Sequence, residues 1–112
     1  MELAFATRAL RSICEQADLA SDKFGHEVAA ELRARIADLR AAESVADIVA
    51  GQPRLLDDDD PRLILTLVDV VEMVIRPNHV LGWQGVRGPF EWQNVRRIRI
   101  DALDMRDGGE LR

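Results

Sequence analysis

Tyrosine is missing from this sequence of 112 residues, and cysteine occurs once, as Cys14. A single cysteine excludes an internal disulfide, which suits a reducing compartment and leads us to expect a cytoplasmic protein. Cys14 sits among Leu10, Ile13 and Ala17, the setting of a buried small apolar side chain and not of a nucleophile. Charges interrupt every apolar run before it reaches membrane-spanning length, so no membrane association is expected. The first residues, MELAFATRAL, lack the basic start and long apolar centre of a secretory signal. Positive charge is in deficit: 15 Lys and Arg face 20 Asp and Glu, a formal net charge of −5. That argues against generic nucleic-acid binding, which rests on neutralising phosphates, and leaves only a local basic face open. His26 and His79 are too far apart to make a metal motif, and neither a metal nor a cofactor is expected.

What is present fits one small globular domain. The apolar fraction is 47%, enough for one core and too high for a disordered chain. There is no internal repeat, so the expectation is a single domain over 1–112, with 104–112 as a flexible tail. ELAFA alternates with Leu3 and Phe5 on one side, as a strand does. Thr7 is placed to cap a helix that starts at Arg8 and fades near Ser21–Gly25, with Leu10, Ile13, Cys14 and Ala17 at helical spacing. A second helix is clearer still. In HEVAAELRARIADLRAA, Val28, Leu32, Ile36 and Leu39 recur on one face, and Glu31 and Arg35 form an i,i+4 pair. Alanines on its flanks permit close approach of the first helix, so the two should form a hairpin across DKFGH. Ser44 and Asp47 make a capping box for a short helix that Gly51 and Pro53 end.

Residues 61–76 read two ways. β-Branched residues favour two strands joined near Val68–Val70, although VDV lacks the Gly or Asn of a good hairpin turn. Alternatively, Asp60 caps and Pro61 starts one helix, with Leu63, Leu67, Val70, Val71 and Val74 on one face. LGWQGVRGPFEW is loop-like. VRRIRIDAL alternates again, with Val95, Ile98 and Ile100 apolar and Arg96, Arg97 and Arg99 basic.

The order of these segments resembles the RelE/ParE superfamily of small toxins, and most closely its HigB-type branch of killer and killer-suppression proteins. FATRALRSICE is similar to the family's opening. ELRARIADLRAAESVADIVAGQP resembles its second helix and turn, in the pattern L-x-x-L-x-A-A-x-S-x-x-D followed by G-x-P. VVEMVIRP occupies the place of its W-R-L-V-F-x-P strand, and FEWQNVRRIRI that of its D-W-x-x-V-x-x-V-x-I lead into the last strand. The likeness covers most of the chain and is most specific in 28–53. It favours the strand pair over the helix. It implies an α+β fold with a twisted, mainly antiparallel sheet and the N-terminal helical hairpin packed on one face. It also implies a function: a toxin that binds the ribosome and cleaves mRNA without a metal, held inactive by a cognate antitoxin, of helix-turn-helix type.

In such an endoribonuclease, arginines neutralise the scissile phosphate and a general acid or base moves protons. The candidates here are Arg76 and Arg99 for phosphate, His79 for proton transfer and Arg106 as a supplement. The sequence also departs from the family. Glu72 stands where the family's strand has Arg, its C-terminal D-Y-H is replaced by ALDMRDGG, and its G-G turn is missing. A bland account therefore stands beside the catalytic one, with Glu72 pairing with Arg76 or with a basic residue of 96–99 on a wet face. His79 is then a loop residue, Asp57–Asp60 an acidic turn and not a cation site, and Trp92 a core residue, where Trp83, Phe90 and Trp92 would otherwise stack bases. That account makes the chain a catalytically degenerate protein-binding module of the same fold. An enzyme or ligand binder on another fold is the remaining class, and no motif names a substrate for it.

Overall fold

The computed structural model describes residues 1–56, 60–78 and 92–106. The fold is α+β. The order is β1 (Glu2–Phe5), α1 (Arg8–Glu15), α2 (Ala17–Phe24), α3 (His26–Ala41), β2 (Arg54–Leu56), β3 (Arg62–Leu67), β4 (Val71–Pro77) and β5 (Arg97–Met105). Single 3-10 turns lie at Val45–Asp47 and Trp92–Asn94. The sheet runs β1-β5-β4-β3-β2. β1 is parallel to β5, and the other neighbours are antiparallel.

Strand alternation sorts the sheet's two faces. Leu63, Leu65, Leu67, Val71, Met73, Ile75, Ile98 and Ile100 are all buried in one cluster with Val28, Ala29, Leu32, Ile36 and Leu39 of α3. The helices therefore cover that face, and α3 does so with the stripe that its sequence period displays. Trp92 and Val95 join the same core, so Trp92 packs and does not offer a stacking surface. Trp83, Phe90 and residues 57–59 lie outside the described residues.

The N-terminal helical segment differs from the single helix expected from Arg8. Thr7 does cap it, its hydroxyl accepting from the Leu10 N–H at 3.1 Å. At Gln16, however, the backbone turns extended, and its carbonyl caps the next helix by accepting from Leu19 and Ala20. The core explains the break. On a straight helix Cys14 and Ala20 would point roughly 120° apart, yet both are buried. A kink at Gln16 re-aims the second half so that each half buries its own small residue. No Gly or Pro marks this site, which is why periodicity missed it.

Residues 62–77 form the strand pair, and the single helix is excluded. The turn between them is strained. Val70 N–H donates to the Leu67 carbonyl at 3.0 Å, and both central residues, Val68 and Asp69, have positive φ, 53° and 57°. That backbone suits Asn-Gly, and a β-branched residue in it is an outlier. Val68 is also exposed, so it contributes little packing in return. Val68→Asn should raise stability by about 1 kcal/mol, read as a higher urea midpoint at unchanged slope; an unchanged or lower midpoint would show that the turn holds no strain.

The C-terminal segment is more ordered than the expected tail. Asp104 and Met105 belong to β5, because Glu72 and Val71 pair with them across the sheet. Arg106 N–H donates to the Val70 carbonyl at 2.8 Å. Residues 107–112 lie outside the described residues.

Candidate functional site on the sheet face away from the helices

Glu72, Val74 and Arg76 alternate with the buried Val71, Met73 and Ile75 and so face away from the helices. Glu72 and Arg76 share this face but do not pair. Four residues of strand separate them by about 13 Å. Glu72 instead accepts from Arg54 of β2 at 2.6 Å and lies 3.8 Å from Arg106 Nε. The expected partners, Arg76 or a residue of 96–99, are thus corrected to Arg54 and Arg106, both brought in by neighbouring backbone.

Sheet register sets Arg76 directly opposite Arg99. Two like charges in that position repel. The conflict is relieved by a β-bulge. Val74 pairs with Ala102 and Ile75 with Ile100, which leaves Asp101 as an extra residue in β5. Its carboxylate accepts from both guanidiniums: from Arg76 Nη1 at 2.8 Å, from Arg99 Nη2 at 3.1 Å and from Arg99 Nε. Asp60, the last of the acidic run, completes the cluster. It accepts from Arg76 through both oxygens, at 2.9 and 2.8 Å, the parallel fork that makes Arg–carboxylate pairs strong.

The charge states follow. Hydrogen bonds donated to Asp60 first, then to Asp101, raise the Arg76 pKa further above an already high value. The bond to Asp101 does the same for Arg99. Burial pushes the Asp101 carboxyl up, but the bonds from Arg99 and Arg76 outweigh it, and its pKa is held below the usual range. The Arg76 bond likewise lowers Asp60. For carboxylates with depressed folded-state pKa values, stability is present above the unfolded value of about 4 and is lost as pH falls through the lower folded values. Urea midpoints should accordingly be level at mildly acidic pH and drop below about pH 4, with a shallower drop in Asp101→Asn. An identical acid profile in that variant would deny the cluster this role.

Of the residues proposed for catalysis, the fold brings two together. Arg76 and Arg99 meet at Asp101. Arg106 sits at the other end of β4, beside Glu72 and Asp69, so it does not supplement them. His79 lies outside the described residues. Asp101 is the member of this cluster that reading the sequence missed. The signal was present as an acid inside an otherwise basic alternation, R-I-R-I-D, but the bulge that turns it towards the arginines has no sequence mark. Among the described residues no His, Cys, Asp and Glu group is arranged to hold a metal, and no helix is long and apolar enough to cross a membrane.

No protein-family model, curated protein or solved structure matches this chain.

Proposed function

We propose that this chain is a RelE/HigB-type module of a toxin–antitoxin pair, and that it works by holding its partner protein and not by cutting RNA. The element order, a strand, then helices packed back on the sheet, then the remaining strands, agrees with what the family resemblance implies. The observation that carries the non-catalytic part is electrostatic. Both guanidiniums at the expected phosphate site already hold carboxylates, Arg76 with Asp60 and Asp101 and Arg99 with Asp101. A phosphate would have to displace them. The chain's net charge of −5 adds to that opposition.

A second reading, ribosome-dependent mRNA cleavage, has one observation in its favour. Two guanidiniums converge on the two oxygens of one anion, and phosphate oxygens could take the same donors. The deciding experiment is cell-free translation with the folded protein, followed by primer extension on the mRNA. Intact message is expected, together with a stable complex on co-expression with any small helix-turn-helix protein encoded beside this one. Discrete ribosome-dependent cuts that vanish in Arg76→Ala or Arg99→Ala would replace the capture reading with the nuclease.

A further inference from the structure

Two exposed arginines, Arg8 and Arg33, stand on the helical layer, away from the sheet cluster. Two hollows adjoin there. One, of about 670 Å³, lies between α1 and α3 and is lined by Cys14, Glu15, Arg33, Ile36 and Arg40, among others. The second, of about 360 Å³, is formed by β1 and α1 with Arg40 and includes Phe5, Arg8, Arg11 and Glu15. They adjoin at the Glu15–Arg40 ion pair that both share, a groove in two parts. Among the described residues, four guanidiniums line it against one carboxylate. That carboxylate, Glu15, is held by Arg11 at 3.1 Å and Arg40 at 3.3 Å.

Arg8 and Arg33 differ from the other arginines. Every other arginine in the described residues is bound to a carboxylate or a backbone carbonyl. Arg8 and Arg33 have neither an ion pair nor a hydrogen bond among the described residues, and both are exposed. One lines each hollow. Among the described residues of this acid-rich chain, the two unengaged guanidiniums thus stand at this groove.

We propose that this groove receives an acidic amphipathic helix or peptide of a partner protein, its carboxylates on Arg8 and Arg33 and its apolar side chains on the floor. The proposal rests on the partner-capture reading above and adds the surface and the chemistry. Charge complementarity selects an anion. The floor selects a polypeptide over a nucleic acid: Ala37 and Ala41 of α3 are exposed aliphatic surface, with the almost fully buried Ile36 and Cys14 beneath them, suited to Leu-type anchors. Base stacking would require an aromatic platform, and among the described residues the lining supplies only Phe5. Small alanines along α3 leave the room that a bulky anchor would fill.

The test uses the full chain and a labelled helical peptide of about five turns, with glutamates on one side and leucines on the other. The same peptide with lysines and a short single-stranded RNA serve as comparisons. The acidic peptide should bind, shift the amide resonances of Ile36, Ala37 and Ala41, and lose affinity at least about tenfold in Arg8→Glu/Arg33→Glu, as expected for reversing two rim charges. The lysine peptide should not bind. Because the Arg8 and Arg33 side chains have no partners among the described residues, the variant should fold as the parent does, checked by its unfolding midpoint. Shifts confined to the sheet, equal affinity in the variant, or RNA occupying the groove in preference to the acidic peptide would each overturn the proposal. The two readings also fail separately. If the co-expressed partner stays bound to the double variant with unchanged affinity, this groove is wrong and capture stands. If the parent chain binds no partner, the capture reading falls, and the peptide result alone decides the groove.

Discussion

Leu65→Ala is expected to destabilise the fold by about 2–5 kcal/mol, the largest loss from any single substitution considered. Leu65 has no exposed surface. It stands at the centre of β3, paired with Met73 on β4, on the face that the helices cover. Its other neighbour is backbone. A Cβ built on Gly51 would lie 3.5 Å from the Leu65 Cβ, so the chain leading into β2 passes directly over the side chain. The next residue ties that passage down, with Thr66 N–H donating to the Gly51 carbonyl at 2.7 Å. Gly51 has φ 90°, a conformation that L side chains rarely adopt. Backbone held in this way cannot collapse into the space that Leu65 would leave, which puts the cost towards the upper part of the range. Equilibrium urea unfolding measures it. A loss below about 1 kcal/mol would mean that the site relaxes, and the packing described around Gly51 would then be wrong.

The same neighbourhood shows what the sequence could disclose. Helix α3 was legible because a sixteen-residue stripe of apolar positions has one period and one solution. Gly51 was legible as a stop, though not as the neighbour of Leu65, since that contact spans a long loop. Strands β3 and β4 were recognised against a turn that local chemistry disfavours. Local pattern left a single helix open there and the family resemblance favoured the strands; residues 63–67 are all buried, so β3 shows no alternation of burial that would have marked it. The break at Gln16 and the bulge at Asp101 stayed hidden for a shared reason. Each corrects a mismatch between two elements distant in sequence, and neither needs a residue that marks it locally.

The bulge makes the second large effect predictable. In the parent chain Asp101 and Asp60 neutralise Arg76 and Arg99, so the pair of guanidiniums has little affinity left for another anion. Asp60→Asn/Asp101→Asn removes both negative charges and keeps the side-chain shapes. The register leaves the two arginines opposite each other, now without a counter-ion between them. Stability should fall, little through Asp60, whose pair is exposed, and more through Asp101, which is largely buried between the two guanidiniums. Anion binding should rise sharply. Hydrogen bonds to charged groups are worth about 1.5–3 kcal/mol, so regaining even one of them for a ligand corresponds to roughly tenfold in affinity. Titration with inorganic phosphate, followed by the Arg Nε–H resonances or by calorimetry, should show binding at least about tenfold tighter than in the parent. The gain should vanish when Arg76→Ala is added. If the parent already binds phosphate as tightly as the double variant, the carboxylates do not block the site, and the electrostatic argument against RNA cleavage loses its basis. If the gain appears, the sheet face is a phosphate site held shut by two aspartates, and cleavage assays on the double variant then test whether those charges alone separate a binding module from a nuclease.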